Sequence, residues 1–148
     1  MSKYVLDTNI YIAAARDRVF GAELIEFVAS FLPRIHLHAV VVQELVRGAI
    51  SERARRQLKR DIIGPFEKRG RVIVPSYRAW KTSGEIVSQL VERSMLTAGG
   101  VPRSFMNDAL LAASCREEGL TLITRNEHDF SRISTVEQIS FQAPFPPP

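Results

Sequence analysis

The sequence predicts a single α/β domain built on a parallel sheet of four to five strands, with helices covering both faces. Two observations predict this fold. Short apolar runs, typical of buried strands, alternate along the chain with longer stretches that are apolar at helical spacing. No repeat and no internal linker divides the 148 residues, a length that suits one domain with its own core.

The first half of the chain contains two predicted strands and four predicted helices. Lys3–Leu6 and Ile35–His38 are short apolar runs of the kind found in buried parallel strands. Helices are predicted over Thr8–Arg16 and over residues 21–32, 39–50 and 52–63. The second helix is expected to end at Pro33. The fourth begins after the N-cap residue Ser51 and is interrupted by Gly64-Pro65.

The second half of the chain continues the alternation. Strands are predicted over residues 71–74, 120–124 and 138–141, and helices over residues 77–96 and 105–118. Pro75 ends the third strand, Ser76 caps the helix that follows, and Gly119 suits the C-terminal cap of the last helix. Residues 97–104, which contain two glycines and a proline, are predicted to be a loop, as is the polar segment after the fourth strand.

The composition is that of a globular protein with a basic surface. Hydrophobic residues make up 45% of the chain and charged residues 24%, and the net charge of +4 makes an anionic partner plausible. Cys115 is the only cysteine, so neither an intramolecular disulfide nor a multi-cysteine zinc site can form. The N-terminal segment lacks the layout of a signal peptide, and no apolar run is long enough to span a bilayer. We therefore expect a cytoplasmic location and no membrane association.

Polar clusters follow the first and the fourth predicted strands. The first cluster is Asp7, Thr8 and Asn9, and the second runs from Thr124 to Asp129. Because the carboxyl ends of parallel strands meet at one edge of a sheet, we expect the two clusters to lie close together. Asp108 is predicted in the first turn of the helix before the fourth strand, and Glu44 lies beside the apolar stripe of its own helix.

Carboxylates that are brought together repel one another, so such a cluster needs a compensating cation. Oxygen ligands without cysteines favour a hard cation, Mg²⁺ or Mn²⁺. Each residue also has a structural explanation: Asp7 could cap a helix, Asp108 could complement a helix dipole, and Glu44 could simply be solvated. Asn126 and Asp129 could be turn formers. The joint order and placement of these residues, not any single position, favours a site.

Four separated segments of the chain resemble the PIN-domain nucleases. They are LDTNI at residues 6–10, QELVRG at residues 43–48, the segment from Asn107 to Asn126 that begins NDALLAASC, and DF at residues 129–130. Their order and spacing are most similar to those of the VapC toxins of bacterial toxin–antitoxin pairs. The resemblance implies a PIN-like three-layer sandwich over residues 1–142, followed by a proline-rich tail over residues 143–148.

The resemblance also implies a metal-dependent endoribonuclease that acts as the toxin of a toxin–antitoxin pair. The metal ligands of the family, which are also its catalytic residues, correspond to Asp7, Glu44 and Asp108. The fourth family position, often an aspartate, is Asn126 here, whose amide oxygen can ligate a hard cation but carries no charge. Asp129 is a weaker candidate ligand that could supply the missing charge. The groups expected to orient carboxylates and waters are Thr8, Asn9 and Thr124.

Proteins of the VapC kind usually dimerise and bind a small antitoxin. The resemblance therefore implies a homodimer, an RNA substrate and a cognate antitoxin as partners. Arg103 and Arg125 lie near the predicted pocket in the sequence and are candidate phosphate contacts. Arg53, Arg56 and Arg60 fall on one helical face, which is either an RNA-binding surface or an ordinary solvated helix.

Two other functions compete with the nuclease. Because Asn126 carries no charge, a PIN fold that binds RNA or a partner with weak or no cleavage is a second hypothesis. A phosphoacceptor receiver domain would need paired acids after the first strand and a lysine late in the sheet, and the sequence has neither. His36 and His38 alternate along one strand, and a structural role is predicted for both because no acid is close in sequence.

Overall fold

A computed structural model describes residues 1–148, and its five strands form one parallel sheet. The strands are β1 (Lys3–Leu6), β2 (Ile35–His38), β3 (Val72–Ile73), β4 (Leu120–Ile123) and β5 (Phe141–Gln142). Their order across the sheet is β3-β2-β1-β4-β5. The predicted α/β fold with a parallel sheet of four to five strands is confirmed.

The strands are connected by α-helices and short helical turns. The helices are α1 (Thr8–Arg16), α2 (Arg18–Phe31), α3 (Ala39–Gly48), α4 (Glu52–Leu58), α5 (Gly64–Lys68), α6 (Tyr77–Glu92), α7 (Arg103–Glu117) and α8 (Glu127–Ser134). Single 3₁₀ turns lie at Leu32–Arg34 and Ala98–Gly100, and a π-helical turn at Lys59–Ile63 joins α4 to α5. Not one of these helices combines the length and the apolar character that crossing a membrane requires.

The strand order reverses between β1 and β4. The chain adds β2 and β3 on one side of β1, so right-handed crossovers place α1 to α5 on one face of the sheet. It then returns to β4 and β5 on the other side, and α6, α7 and α8 pack against one another on the opposite face. In open parallel sheets, ligands bind at such a reversal, beyond the carboxyl ends of the strands. Here those ends carry Asp7 and Thr124.

The centre of the core lies at β1 and β4. Val5, Leu6, Leu122 and Ile123 are at most 1% exposed, because helices cover both faces of these strands. This is why the runs are apolar at successive positions and do not alternate. Cys115 is buried in α7, and burial raises the pKa of its thiol, so the predicted core role of this cysteine is confirmed.

The dipeptide Gly64-Pro65 does not interrupt the helix as predicted. A proline has no N–H to donate and its ring clashes with the carbonyl four residues earlier in an α-helix. The chain avoids this clash with the π-helical turn, where the Gly64 N–H donates to the Lys59 carbonyl. A Cβ atom at position 64 would lie 2.6 Å from that carbonyl oxygen, so only glycine fits there. The helix then continues to Lys68.

Several predicted boundaries shift for reasons that lie outside local pattern. The helix predicted over residues 21–32 begins at Arg18 because the Asp17 carboxylate accepts the N–H groups of Val19 and Phe20. The helix predicted to start at residue 105 begins at Arg103, so Asp108 lies in its second turn and not its first. The edge strands β3 and β5 are two residues each, since each has a ladder partner on one side only.

One helix was not predicted at all. The segment after β4 was expected to be a loop, but Glu127–Ser134 forms α8. The Asn126 side chain caps it by accepting the Asp129 N–H, and the apolar residues Phe130 and Ile133 are spaced by three residues and buried. The cap and this spacing were the sequence signals for the helix.

His38 has the structural role that was predicted for it. Its Nδ1 accepts the Val40 N–H at 3.1 Å, which caps α3, and its Nε2 therefore carries the proton that faces Ser114 Oγ at 2.8 Å. The side chain is fully buried, and desolvation lowers the pKa of His38 to about 4.

We predict that His38→Asn changes the pH dependence of stability. Below pH 6.5 the unfolded chain binds a proton that folded His38 does not bind until about pH 4, so the stability due to neutral His38 is present above pH 6.5 and is lost as the pH falls. The free energy of unfolding of the wild type, relative to the variant, should fall by on the order of 3 kcal/mol between pH 7 and pH 4 in urea titrations. His128→Asn, at an exposed position, is the control. A difference between wild type and His38→Asn that does not vary with pH would contradict this account.

Candidate active site

Asp7 lies at the end of β1 and is fixed by hydrogen bonds from both neighbouring segments. Its N–H donates to the Ile123 carbonyl at 2.9 Å, which continues the ladder to β4. Its Oδ1 accepts the Thr8 N–H at 2.8 Å, and its Oδ2 accepts the Thr124 hydroxyl at 2.7 Å and the Asn9 amide at 3.2 Å. Asp7 therefore caps α1 and also presents a fixed carboxylate, 4% exposed, at the strand reversal.

Glu44 comes to the same place from α3. The Thr8 hydroxyl donates to Glu44 Oε1 at 2.7 Å, so Thr8 contacts the carboxylates of both Asp7 and Glu44. Burial raises the pKa of Asp7, although the hydrogen bonds from Thr124 and Thr8 lower it; the negative charge of Glu44 adds a smaller upward effect. Glu44 is half-buried, not a freely solvated side chain.

Asp108 is the third carboxylate and comes from α7, on the opposite face of the sheet. The pKa of Asp108 is raised to about 8. Burial is the largest cause, followed by the negative charges of Asp7, Asp129 and Glu44. Hydrogen bonds through Asn126 and Thr124 link Asp108 to Asp7. Three segments that are distant in the sequence therefore bring Asp7, Glu44 and Asp108 together.

Thr124 and Asn126 connect the carboxylates. The Thr124 hydroxyl donates to Asp7 and accepts the Asn126 N–H at 2.9 Å and the Asn9 amide at 3.3 Å. The Asn126 Nδ2 donates to Asp108 at 3.3 Å and to Asp129 at 3.0 Å. Because Asn126 Oδ1 is used to cap α8, the side chain presents its amide nitrogen, not its oxygen, to Asp108.

Asp129 differs from the other three carboxylates because it has a cation of its own. Arg132 Nη2 donates to Asp129 Oδ1 at 2.6 Å, and the guanidinium also lies 4.9 Å above the Phe105 ring. Burial raises the pKa of Asp129, but the hydrogen bonds from Asn126 and Arg132 outweigh it and hold that pKa below its ordinary value. Sequence reasoning missed Arg132. Its spacing of three residues from Asp129 was a signal only if α8 had been predicted.

Asp7, Glu44 and Asp108 have no basic side chain within ion-pairing distance. No three carboxylate, imidazole or thiolate side chains already stand as a ready-made ligand set for a metal ion. The chemistry of the donors nevertheless fits a hard divalent cation, because clustered carboxylate side chains repel one another and a bound divalent cation would offset their charge.

The candidate RNA-binding arginines fall into two groups. Arg103 begins α7 and Arg125 follows Thr124, so both belong to segments that supply the pocket. Arg53, Arg56 and Arg60 are exposed on α4 and the π-helical turn, and none contacts the carboxylates of the pocket. Arg56 and Arg60 are already paired with Glu52 and Asp61.

The fold and the site define an α/β protein with an acidic pocket at the strand reversal of a five-stranded parallel sheet. The family model of the PIN domain matches residues 4–136, and the chain belongs to the PIN domain family. The predicted family is thus confirmed. None of the curated proteins matches the chain.

Solved structures with the same fold include chains of toxin–antitoxin complexes. A chain of DNA-bound VapBC from Salmonella typhimurium is 24% identical with a TM-score of 0.73, and the match covers 97% of this chain and 98% of that one. A chain of VapBC-1 from nontypeable Haemophilus influenzae is 25% identical with a TM-score of 0.64, and the match covers 95% of this chain and 96% of that one. A chain of FitAcB from Neisseria gonorrhoeae is 19% identical with a TM-score of 0.68, and the match covers 93% of this chain and 95% of that one. The predicted resemblance to VapC-like PIN proteins is confirmed in fold.

We predict that Asp108→Asn stabilises the metal-free protein at alkaline pH. The Asp108 carboxyl releases its proton near pH 3.8 in the unfolded chain but only near pH 8 in the folded protein. Between these values the unfolded state is favoured by ionisation, so the free energy of unfolding falls as the pH rises from about 4 to about 8. Asparagine does not ionise, and the variant should exceed the wild type by a few kcal/mol at pH 8 in EDTA, but not at pH 4. Urea titrations at both values test this. Asp61→Asn, at an exposed acid, should show no such gain, and equal stability of Asp108→Asn and wild type at pH 8 would rule out the strained cluster.

Proposed function

We propose that this protein is a metal-dependent endoribonuclease that serves as the toxin of a toxin–antitoxin pair. One observation carries the proposal: Asp7, Glu44 and Asp108 come from three distant segments, are linked by hydrogen bonds through intervening side chains and have no basic partner. An arrangement of this kind costs folding free energy, and its use is to hold a divalent cation. Membership in the PIN family and the likeness to chains of VapBC complexes support this function.

The three carboxylates would hold Mg²⁺ or Mn²⁺. When bound, such an ion acidifies a coordinated water and offsets the charge that develops on the phosphate of the substrate. The remaining side chains orient the ligands: Thr124 and Asn9 fix one oxygen of Asp7, and Thr8 fixes one oxygen of Glu44. Hydrogen bonds of this sort would hold each carboxylate in one rotamer, with the remaining lone pairs of its oxygens available to the cation and its waters.

Asn126 and Asp129 are weaker ligand candidates than these three. Asn126 directs a donor towards Asp108, and Asp129 is occupied by Arg132. A cation held by Asp7, Glu44 and Asp108 alone is therefore the simplest arrangement. In this arrangement, the Asn126 amide lies between the carboxylates of Asp108 and Asp129 and donates a hydrogen bond to each.

A binding protein without strong cleavage is the second candidate function, and the Asn126 amide is the observation that favours it. An amide donor between Asp108 and Asp129 relieves part of their repulsion without any metal ion. If that relief is sufficient, the pocket binds RNA or a partner and has little affinity for a cation. The cleavage experiment below separates the two candidates.

The partner that we propose is a small antitoxin protein. A cleft of about 890 Å³ lies between α2 and α5, and apolar side chains form most of its lining. They include Leu24, Ile25, Val28, Ile62 and Phe66. Arg18, Arg69 and Arg71 also line the cleft, so an apolar segment with acidic flanks would complement it. The VapBC and FitAcB structures, whose chains share this fold, support such a partner.

We predict that the pocket carboxylates are required for RNA cleavage. Asp7→Asn and Asp108→Asn should lower the cleavage rate of total RNA in Mg²⁺ or Mn²⁺ by at least about 100-fold, and Thr8→Val, which frees Glu44, by about 10-fold. The cut ends should carry 5′-phosphate and 3′-hydroxyl groups, which end-specific ligation and sequencing detect. EDTA should abolish cleavage.

Glu85→Gln is the matched control, because Glu85 is an exposed acid on α6. The nuclease proposal fails if Asp7→Asn and Asp108→Asn cleave as fast as the wild type. Metal-independent RNA binding without products in any divalent ion would support the binding protein instead.

We predict that the protein is a homodimer and that the start of α6 contributes to its interface. Val74, Tyr77 and Trp80 are 69%, 82% and 60% exposed, and Tyr77 and Trp80 lie one turn apart on the same side of the helix. Grouped exposed apolar side chains of this size are typical of interfaces. Trp80→Glu should sediment as a monomer where the wild type sediments as a dimer, and Ile25→Glu, at an exposed residue of the cleft, should remain dimeric. A monomeric wild type would contradict this prediction.

A further inference from the structure

Arg125 stands at the rim of the pocket without a polar partner for its side chain. Its backbone N–H donates to Asn9 Oδ1 at 3.2 Å, which holds the residue next to Asp7 and Thr124. Its side chain forms no hydrogen bond and no ion pair, although the pocket beside it is acidic. Its ordered contact is the ring of Phe20, which lies 5.2 Å from the guanidinium carbon.

Phe20 belongs to a row of aromatic rings that begins in the core. The ring of Phe27 is buried against Tyr4 and Phe31, with centroid distances of 5.5 Å and 4.9 Å. Phe145 stacks on Phe27 at 5.2 Å with an angle of 27° between the planes, and it also contacts Phe20 at 5.2 Å. The row therefore runs from Phe27 through Phe145 and Phe20 to the guanidinium of Arg125.

Phe145 comes from the proline-rich segment at residues 143–148, which local sequence would assign to a free tail. Phe145 is half-buried, and Pro144 and Pro146 on either side of it restrict the backbone. A backbone restricted in this way loses little conformational entropy when the ring that it carries is packed. The segment thus supplies a fixed ring against Phe20 at small entropic cost.

The contact with Phe20 leaves the donors of Arg125 free. A cation on the face of an aromatic ring is attracted by the π electrons and uses none of its N–H groups in the contact. A guanidinium that is held in this way can donate two parallel hydrogen bonds to a phosphate. Two acidic residues of the site are already satisfied by other donors, since Asp7 accepts from Thr8, Asn9 and Thr124, and Asp129 pairs with Arg132.

We propose that Arg125 binds a phosphate of the RNA backbone at the rim of the pocket, and that Phe20 and Phe145 are positioning residues that hold it there. The proposal rests on the proposed nuclease function, because it assumes that RNA enters the acidic pocket. It assigns to the C-terminal segment a part in substrate binding, although that segment does not reach the pocket carboxylates.

The test measures affinity for a fluorescently labelled single-stranded RNA oligonucleotide of random sequence, in EDTA, over a series of salt concentrations. Arg125→Ala should raise Kd about fivefold and reduce the salt slope by about 0.7, as expected for one lost phosphate contact on a single strand. Phe145→Ala should raise Kd about threefold through the lost positioning. The doubly substituted protein should bind no more weakly than Arg125→Ala alone.

The double substitution separates positioning from a general effect on folding. If Phe145 acts only through fold stability, its effect on Kd will be the same with and without Arg125, and the proposal is overturned. Lys3→Ala is the charge-matched control, since Lys3 is exposed at the start of β1, at the opposite end of that strand from Asp7. In cleavage assays Phe145→Ala should raise KM and leave kcat unchanged.

The outcomes also separate this inference from the nuclease proposal. RNA binding that depends jointly on Arg125 and Phe145, without cleavage by the wild type, upholds the inference and rejects the nuclease. Cleavage by the wild type with an unchanged Kd for Arg125→Ala upholds the nuclease and rejects the inference. A wild type that neither binds nor cleaves the RNA rejects both.

Discussion

The structure depends on the fixed position of Asp7, where β1 ends, α1 begins and β4 is hydrogen-bonded alongside. Its backbone N–H completes the ladder to Ile123, while its carboxylate caps α1 and accepts the Thr124 hydroxyl. The two strands that flank the reversal are thereby aligned in register by the same residue that offers a charge to the pocket. A carboxylate that served only as a cap would have no need of the hydroxyl donor from β4, so the double attachment relates the fold to the chemistry.

The pocket balances its charges in two different ways. Asp129 is neutralised within α8 by Arg132, and the pKa of Asp129 lies below its ordinary value, whereas the pKa of Asp7 and that of Asp108 are raised. The hydroxyl and amide groups of Thr8, Thr124 and Asn126 orient the remaining carboxylates without bringing positive charge. Orientation without neutralisation leaves electrostatic strain in the folded protein. Such strain is relieved when a cation is bound, which is the expected state of a working metal site.

The sequence was sufficient for the features that depend on local pattern. β1, β2 and α1 have the predicted bounds because apolar runs and a cap define them. Asp7 and Thr124 could be expected at one place because parallel strands end at one edge of the sheet, whereas Glu44 and Asp108 were added to them by the resemblance to the PIN family. Tertiary contacts decided the rest: the π-helical turn that absorbs Pro65 depends on Gly64, and the orientation of the Asn126 amide depends on α8. The pairing of Arg132 and the stacking of Phe145 on Phe27 join segments that no local pattern relates.

The choice of an amide at position 126 has consequences for the whole site. An aspartate there would add a fourth charge next to Asp108 and Asp129, and the added repulsion would call for a second cation. The amide instead donates to both neighbours, which lowers the repulsion, and in the proposed nuclease three carboxylates would be left to hold one ion. In the proposed nuclease a single ion offsets only part of the charge on the scissile phosphate and its neighbours. The remainder would then be offset by side chains at the rim. Arg125, which is held there without a polar partner, is suited to this role.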